Sequence, residues 1–431
     1  MKILLIGSGG RENAIAEKIF ESESFKKQSS KMYCAPGNPG INKFAEPVDI
    51  KQTDVDLLLK FAVSNEIDFT IVGPEVPLAA GIVNKFEDNG LNIFGPRKEA
   101  AEIESSKVFS KNLMQQNNIP TAKFKIFSKE DLIGALSFLK GCRFPLVIKA
   151  DGLAAGKGVI IAANFNEAEK TIKEFCGEDL FGDAGTNFVI EDFLKGEEVS
   201  VFVITDGSEY VMLPFSQDHK KIFDGDKGKN TGGMGAVAPV KKFMTNELNE
   251  KIRKQVIEPV LKVMKDEGRE FKGCLYCGLM IVDEMPYVIE FNCRFGDPET
   301  QAVLPLIESD FLQLLIASSD NSIKNYKLIL NNKYSCCVVM SSGGYPDEYV
   351  AGKLITGLDE AAKTTFVAHS GTRYDDNNEE VLSNGGRVLS VVGVSDISAE
   401  DAVRVSYEGV KKISFEGMHY RKDIGKAIVN Y

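Results

Sequence analysis

Along the first hundred positions, apolar residues come in short runs separated by stretches of helical spacing, the pattern of a parallel α/β sheet. Lys2–Ile6, Lys31–Ala35, Phe69–Val72 and Leu91–Phe94 read as strands, with helices at Glu12–Phe20 and Val55–Asn65. Each strand stops at glycine or proline, in Gly7-Ser-Gly-Gly10, Pro36-Gly-Asn-Pro-Gly40, Gly73-Pro-Glu-Val-Pro77 and Gly95-Pro96. Ligands of open α/β sheets gather at the carboxyl ends of the strands, so these four turns are expected to line one crevice. Helical spacing resumes from Ala100 to about Gln116 and stops before Asn118-Ile-Pro120. A smaller α/β unit is expected over 121–193 and a third segment over 194–318. A module with strands Cys336–Met340 and Arg387–Val394 and helix Ala399–Lys412 follows, and the polar stretch 320–333 reads as a linker.

The apolar run Phe144–Ile148 leads into Lys149-Ala-Asp-Gly-Leu-Ala-Ala-Gly-Lys-Gly158. Glycines and lysines directly after a strand lay N–H groups and ammonium charge along a polyphosphate. The loop falls short of a P-loop: three residues separate Gly152 from Gly156-Lys157, and Gly158 stands where a metal-binding hydroxyl would be. A metal therefore has to be held elsewhere. In Val288-Ile-Glu-Phe-Asn292, alternation places Glu290 and Asn292 on one face and Ile289 and Phe291 on the other. Two side-chain oxygens on a rigid strand suit magnesium; the plainer reading of Glu290 is a surface carboxylate. Arg294-Phe-Gly-Asp-Pro-Glu-Thr300 follows, with Arg294 able to clamp an anion bidentately.

Three further segments carry weaker signals. Gly7-Ser-Gly-Gly-Arg11 is either a phosphate or sugar-phosphate site, with Arg11 as charge partner, or simply a tight turn. The second strand ends without the carboxylate a nicotinamide dinucleotide requires. In Val189–Glu198, a strand edge can bond an adenine through its backbone and Glu198 a ribose diol, unless these carboxylates are only solvated. Ser216-Gln-Asp-His-Lys-Lys221 and Asn230-Thr-Gly-Gly-Met-Gly235, with Asp218 and Lys220, form a loop that orders over an anion or is a mobile surface loop.

Composition narrows the classes. The 431 residues carry a net charge of −11, which argues against a broad nucleic-acid or anionic-membrane surface. No apolar run nears the length of a membrane span, and the apolar start is too short for a signal peptide, so a cytoplasmic protein is expected. Eight cysteines lack zinc-site spacing and read as buried thiols, and three histidines make a histidine metal cage or a Ser-His-Asp hydrolase a poor fit.

Together with Ala35-Pro-Gly-Asn38, Val72-Gly-Pro-Glu75, Asn384-Gly-Gly-Arg387 and Arg421-Lys-Asp-Ile-Gly425, these motifs resemble, in order and over nearly the whole chain, the phosphoribosylamine–glycine ligase family, ATP-grasp enzymes of purine biosynthesis. The resemblance implies an α/β fold with an N-terminal Rossmann-like domain (1–103). It also implies an ATP-grasp main subdomain (104–120 and 194–318), a mobile lid (121–193) and a small C-terminal α+β domain (330–431). It implies ligation of glycine to 5-phosphoribosylamine with ATP as co-substrate, through glycyl phosphate. Metal, Mg2+ or Mn2+, goes to Glu290 and Asn292; ATP lies near Lys107, Lys149, Gly156, Lys157, Gly158, the hinge Glu191, Asp192, Phe193 and Leu194, and Glu198. Arg294 and Asp297 are expected to hold glycine and, with Lys149 and Lys157, to carry catalysis. Gly9, Gly10, Arg11, Asn38, Glu75, Asp218, Lys220 and Arg387 are expected to bind substrate. Two departures stand out: Asn13 where the family often has histidine, and a strand Gly273–Met280 without an acidic metal ligand. The alternatives are another ATP-grasp ligase or carboxylase of purine metabolism, or a non-catalytic nucleotide-binding module.

Overall fold

The computed structural model describes residues 1–152, 158–177 and 186–426. Gly156 and Lys157, expected at the ATP site, lie outside the described residues. The N-terminal sheet is parallel and five-stranded, in the order Glu46–Pro47, Lys31–Pro36, Lys2–Gly7, Phe69–Val72, Ile93–Phe94. Its central strand explains the unbroken apolar run Ile3–Ile6: all four side chains are fully buried, with Leu4 and Ile6 in one core cluster and Ile3 and Leu5 in another. Both faces of a parallel sheet are covered, so alternation disappears from the sequence. The α/β class expected from the pattern is the one observed.

The helical pattern from Ala100 to Gln116 is two helices, Lys98–Ser105 and Lys107–Gln116, broken at Ser106. Ser106 adopts extended backbone and its hydroxyl accepts the Phe109 N–H at 3.0 Å, an N-cap that starts the second helix. The break puts Lys107 at a helix N-terminus.

Two antiparallel four-stranded sheets follow. The first, Phe124–Ser128, Asn187–Asp192, Leu146–Ala150, Val159–Ala162, is backed by helices Leu132–Leu139 and Phe165–Gly177 around its own core. The second runs Tyr210–Met212, Glu197–Thr205, Gly273–Val282, Met285–Asn292. A further sheet pairs Gln217–Asp218 and Gly235–Ala238 with the C-terminal strands Tyr334–Ser341, Arg387–Ser395 and Phe366–His369. Middle and C-terminal segments thus share a sheet that no local pattern announces. The stretch 320–333 is polar yet anchored: Ile323 is buried, and the Asn331 N–H donates to Leu306 O at 3.0 Å. Among the described residues no helix is long and apolar enough to cross a membrane. The cysteines on strands, Cys34, Cys274, Cys277, Cys336 and Cys337, are buried thiols.

Candidate active site

The strand Met285–Asn292 is the frame of the site, and it is not regular. Gly278 pairs with Glu290 but Leu279 pairs with Val288, so Ile289 is an extra, bulged residue. Val288 and Phe291 therefore face the core together, while Glu290 and Asn292 share the other face. The expected grouping of Glu290 with Asn292 is observed; that of Ile289 with Phe291 is not, because a bulge resets the alternation and frees a carbonyl. That carbonyl accepts Lys149 Nζ at 3.0 Å.

Glu290 sits among cations from four segments. Burial would raise its pKa, but Lys220, Lys149, Lys107 and Arg294 outweigh burial and hold the carboxyl below its ordinary value. Among the described residues no hydrogen bond or ion pair engages this carboxylate. It is ionised and unheld, and Asn292 offers a second oxygen beside it. Such a donor pair fits a divalent cation that keeps water and phosphate oxygens for its other positions.

Each surrounding cation has a different tether. Lys107 Nζ donates to Gly152 O at 2.7 Å, while Asp151 accepts the Val108 N–H at 3.1 Å, docking the start of the glycine-lysine loop on the helix N-terminus. Burial lowers the Lys107 pKa. Gly158, at the other end of that loop, accepts the Ala150 N–H at 2.8 Å. Lys149 lies 3.1 Å from Glu191, which Lys111 approaches to 2.9 Å from the other side. Lys220 pairs with Glu198, so the carboxylate expected at a ribose is engaged by the lysine expected at a substrate. Burial raises the Asp218 pKa despite Lys220; against its own burial, Lys220 is raised by Glu198 and Asp218. In the hinge, the Asp192 N–H is taken by Lys123 O, whereas Phe193 is 40% exposed and Leu194 half-buried.

Arg294 is committed to protein. It lies 3.1 Å from Glu75 and 2.9 Å from Glu104, and also donates to Phe295 O and Asn292. Burial would raise the Glu75 pKa, but Arg294 and Arg11 bring it down to about 2; for Glu104 burial wins and the pKa is raised. Asp297 lies 3.3 Å from Arg387 and accepts Gln301 Nε2 at 2.8 Å. Burial opposes its ionisation, and Arg387 with Arg11 lowers its pKa nonetheless. Arg387 also donates to Gly232 O and Asp297 O.

Three of the four N-terminal turns meet at one corner. Glu12, buried at the start of helix Gly10–Glu21, accepts the Gly9 N–H at 2.7 Å and pairs with Arg11, and a Cβ on Gly7 or Gly73 would strike its side chain. Asn38 donates to Ser8 O and His369 O, both at 2.8 Å. Gly9 and Gly10 abut Asp297 and Gln301, and Arg11 reaches Phe295 O, so the first turn touches the Arg294–Thr300 segment. The fourth turn does not join them: Gly95 is packed against Gly273, where the antiparallel sheet closes over the edge strand. Asn13 is bound to the C-terminal part, accepting the His369 N–H at 2.7 Å.

Family models for phosphoribosylglycinamide synthetase match this chain in three consecutive blocks: the N domain over residues 1–104, the ATP-grasp domain over 105–300 and the C domain over 335–427. The chain belongs to the phosphoribosylglycinamide synthetase family. A phosphoribosylamine–glycine ligase of Caldanaerobacter subterraneus is 46% identical over 98% of this chain and 99% of that protein. A bifunctional purine biosynthetic protein of Schizosaccharomyces pombe is 46% identical over 99% of this chain and 54% of its own length. The crystal structure of a Thermotoga maritima phosphoribosylamine–glycine ligase superposes with a TM-score of 0.84 at 32% identity, covering 98% of this chain and all of that one. The biotin carboxylase domain of a Hydrogenobacter thermophilus 2-oxoglutarate carboxylase, at 16% identity and a TM-score of 0.71, shares the fold. An ATP-grasp fold binds ATP with a divalent metal. Within this synthetase, motif reading missed Lys111, Glu104, Glu12 and Gln301. Two of these had a local signal: Glu12 closes the first-turn motif Gly7-Ser-Gly-Gly-Arg-Glu12, and Lys111 lies four residues after Lys107 and so on the same helix face.

Proposed function

We propose that this chain ligates glycine to 5-phosphoribosylamine, cleaving ATP to ADP and phosphate and producing glycinamide ribonucleotide, through glycyl phosphate. The observation that carries the reading is Glu290, unheld among Lys107, Lys149, Lys220 and Arg294, beside the corner where the N-terminal glycine turn meets Arg294–Thr300.

A carboxylate is a poor acylating agent, so glycine must first be activated. In this reading the γ-phosphate meets glycine's carboxylate beside Glu290, and phosphoryl transfer requires mainly positioning and neutralised charge. Lys107 and Lys149 supply ammonium charge to the phosphates, and Gly156, Lys157 and Gly158 are assigned to ATP binding on their sequence motif. Adenine lies at the hinge Glu191–Leu194, on the backbone of Phe193 and Leu194, and its ribose at Glu198. Glu290 and Asn292 would hold Mg2+ or Mn2+, which supplies charge neutralisation at the phosphate oxygens when bound. Arg294 and Asp297 orient glycine; because Glu75, Glu104 and Arg387 already grip them, they do so as a rigid, pre-organised corner. The ribosylamine, held near Gly9, Gly10, Arg11, Asn38, Glu75 and Arg387 with Asp218 and Lys220 opposite, then attacks the acyl phosphate. We infer that 121–193 closes as a lid and keeps water from the acyl phosphate, while 1–103, 104–120 with 194–318, and 330–431 form the walls.

The test is ADP release with ATP, Mg2+ and freshly formed phosphoribosylamine. Glycine is expected to be required, and 18O in its carboxylate to appear in the released phosphate. Turnover with formate or bicarbonate and none with glycine overturns the assignment; unlabelled phosphate overturns the acyl phosphate.

A further inference from the structure

Lys111 is the least exposed of the described lysines around this site and lies away from the reacting corner. It is 2% exposed, as buried as Glu191 at 3% and Lys149 at 4%. Its ammonium touches both connections of the 121–193 unit to the body: Thr121 Oγ1 at 2.7 Å on the way in and Glu191 at 2.9 Å on the way out. Thr121 in turn donates to Val288 O at 2.7 Å, beside the bulge whose Ile289 carbonyl accepts Lys149. One cation thus ties the helix Lys107–Gln116, both hinge segments and the Glu290 strand.

The charges are unequal in number. At Glu191 itself Lys111 and Lys149 share a single carboxylate, a local surplus of one positive charge on the side of Lys149 that faces Glu290. Each lysine also has a hydrogen bond elsewhere, Lys111 to Thr121 Oγ1 and Lys149 to the Ile289 carbonyl, while Glu191 Oε1, the oxygen 3.1 Å from Lys149, is buried and makes no hydrogen bond. Lys111 makes the closer approach to Glu191, 2.9 Å against 3.1 Å.

We propose that Lys111 is a positioning residue for nucleotide binding: it is the standing counter-ion of Glu191, which leaves the ammonium of Lys149 free to neutralise polyphosphate. Without Lys111, Glu191 and Lys149 form a closed one-to-one pair, and a phosphate must compete with a buried carboxylate for Lys149. The idea rests on the ATP site proposed above but not on the identity of the substrates, and its test is chosen accordingly.

The experiment measures binding of ADP and of a non-hydrolysable ATP analogue with Mg2+ to the full chain by calorimetry, beside steady-state kinetics. Lys111→Met is expected to weaken analogue binding and raise the KM for ATP by about tenfold, with the KM for glycine and kcat at saturating ATP changed less than twofold. Lys111→Arg restores most of the affinity. The deciding variant is Lys111→Met combined with Glu191→Gln, which removes the competing carboxylate: it binds the analogue more tightly than Lys111→Met alone. A purely structural Lys111 predicts the opposite, a double variant no better than the single one, and that result overturns the proposal, as does unchanged analogue affinity in Lys111→Met. If Lys111→Met does not fold, Lys111→Gln takes its place, keeping a donor for Thr121 while removing the charge: analogue affinity weakened about tenfold agrees with the proposal, and wild-type-like affinity refutes it. Wild-type protein that binds the analogue yet shows no glycine-dependent turnover refutes the ligase reading and leaves the Lys111 comparison intact.

Discussion

Two carboxylates on strands of different sheets, Glu191 and Glu290, face overlapping sets of lysines and are used in opposite ways. Glu191 is 3% exposed and bracketed by Lys111 and Lys149 within 3.1 Å, a closed hinge in which opposite charges meet directly. Glu290 faces Lys107, Lys149, Lys220 and Arg294, yet no protein group bonds it among the described residues. Buried charge with satisfied partners specifies geometry, whereas an ionised, unheld carboxylate among cations is a place for a ligand. The Arg294 corner belongs to the first kind, since Glu75 and Glu104 consume its charge.

The largest contrast lies at Glu290 itself. Glu290→Gln is expected to lower kcat by about a thousandfold or more and the melting temperature by a few degrees, because Lys220, Lys149, Lys107 and Arg294 lose the charge they face while no direct bond is broken. A stable and fully active variant removes the metal role. Lys149→Ala belongs to both regions and is expected to cut kcat/KM for ATP about a hundredfold; unchanged kinetics would make this lysine structural. Arg294→Met tests the closed kind: it strands the buried Glu104 and the half-buried Glu75 and should cost about 3–5 kcal/mol in denaturant unfolding, with activity lost through the fold as much as through glycine. A variant as stable as the parent would show that Glu75 and Glu104 need no counter-ion.

The smallest expected effect is a pH dependence of stability. Burial pushes His219 down to about 4, with Arg421 adding to the shift. Folded, it stays neutral through the range where the unfolded chain, with an ordinary value of 6.5, binds a proton. Stability is therefore fully present above pH 6.5 and declines as the pH falls toward 4. His219→Asn should flatten the decline in thermal melts between those values; an unchanged slope would assign the decline to other groups, such as His369, which burial lowers to about 3.

Much of the site was legible because its chemistry is written in short motifs. Strand alternation put Glu290 beside Asn292, and the missing hydroxyl at Gly158 required a metal ligand elsewhere. Other parts were not legible. The bulge at Ile289 leaves no mark in an apolar run, and it changes which residue faces the core and which carbonyl receives Lys149. Glu104 looks like any acidic residue on a helix, yet it accepts the Cys293 N–H at 2.7 Å, just past the strand Met285–Asn292 and 189 positions away. Arg294 and Asp297 read as free ligand clamps, but the structure places carboxylates and a second arginine on them.

By itself the sequence determined the α/β class, four of the five strands of the N-terminal sheet, the short edge strand Glu46–Pro47 carrying no pattern of its own, and the family. These follow from periodicity and local spacing, which act over a few residues. Only the tertiary structure decided which charges are spent on one another and which are left for a ligand. Ion pairs such as Lys111 with Glu191, or Arg294 with Glu75, join positions far apart in the chain, and their worth depends on burial that no local pattern encodes.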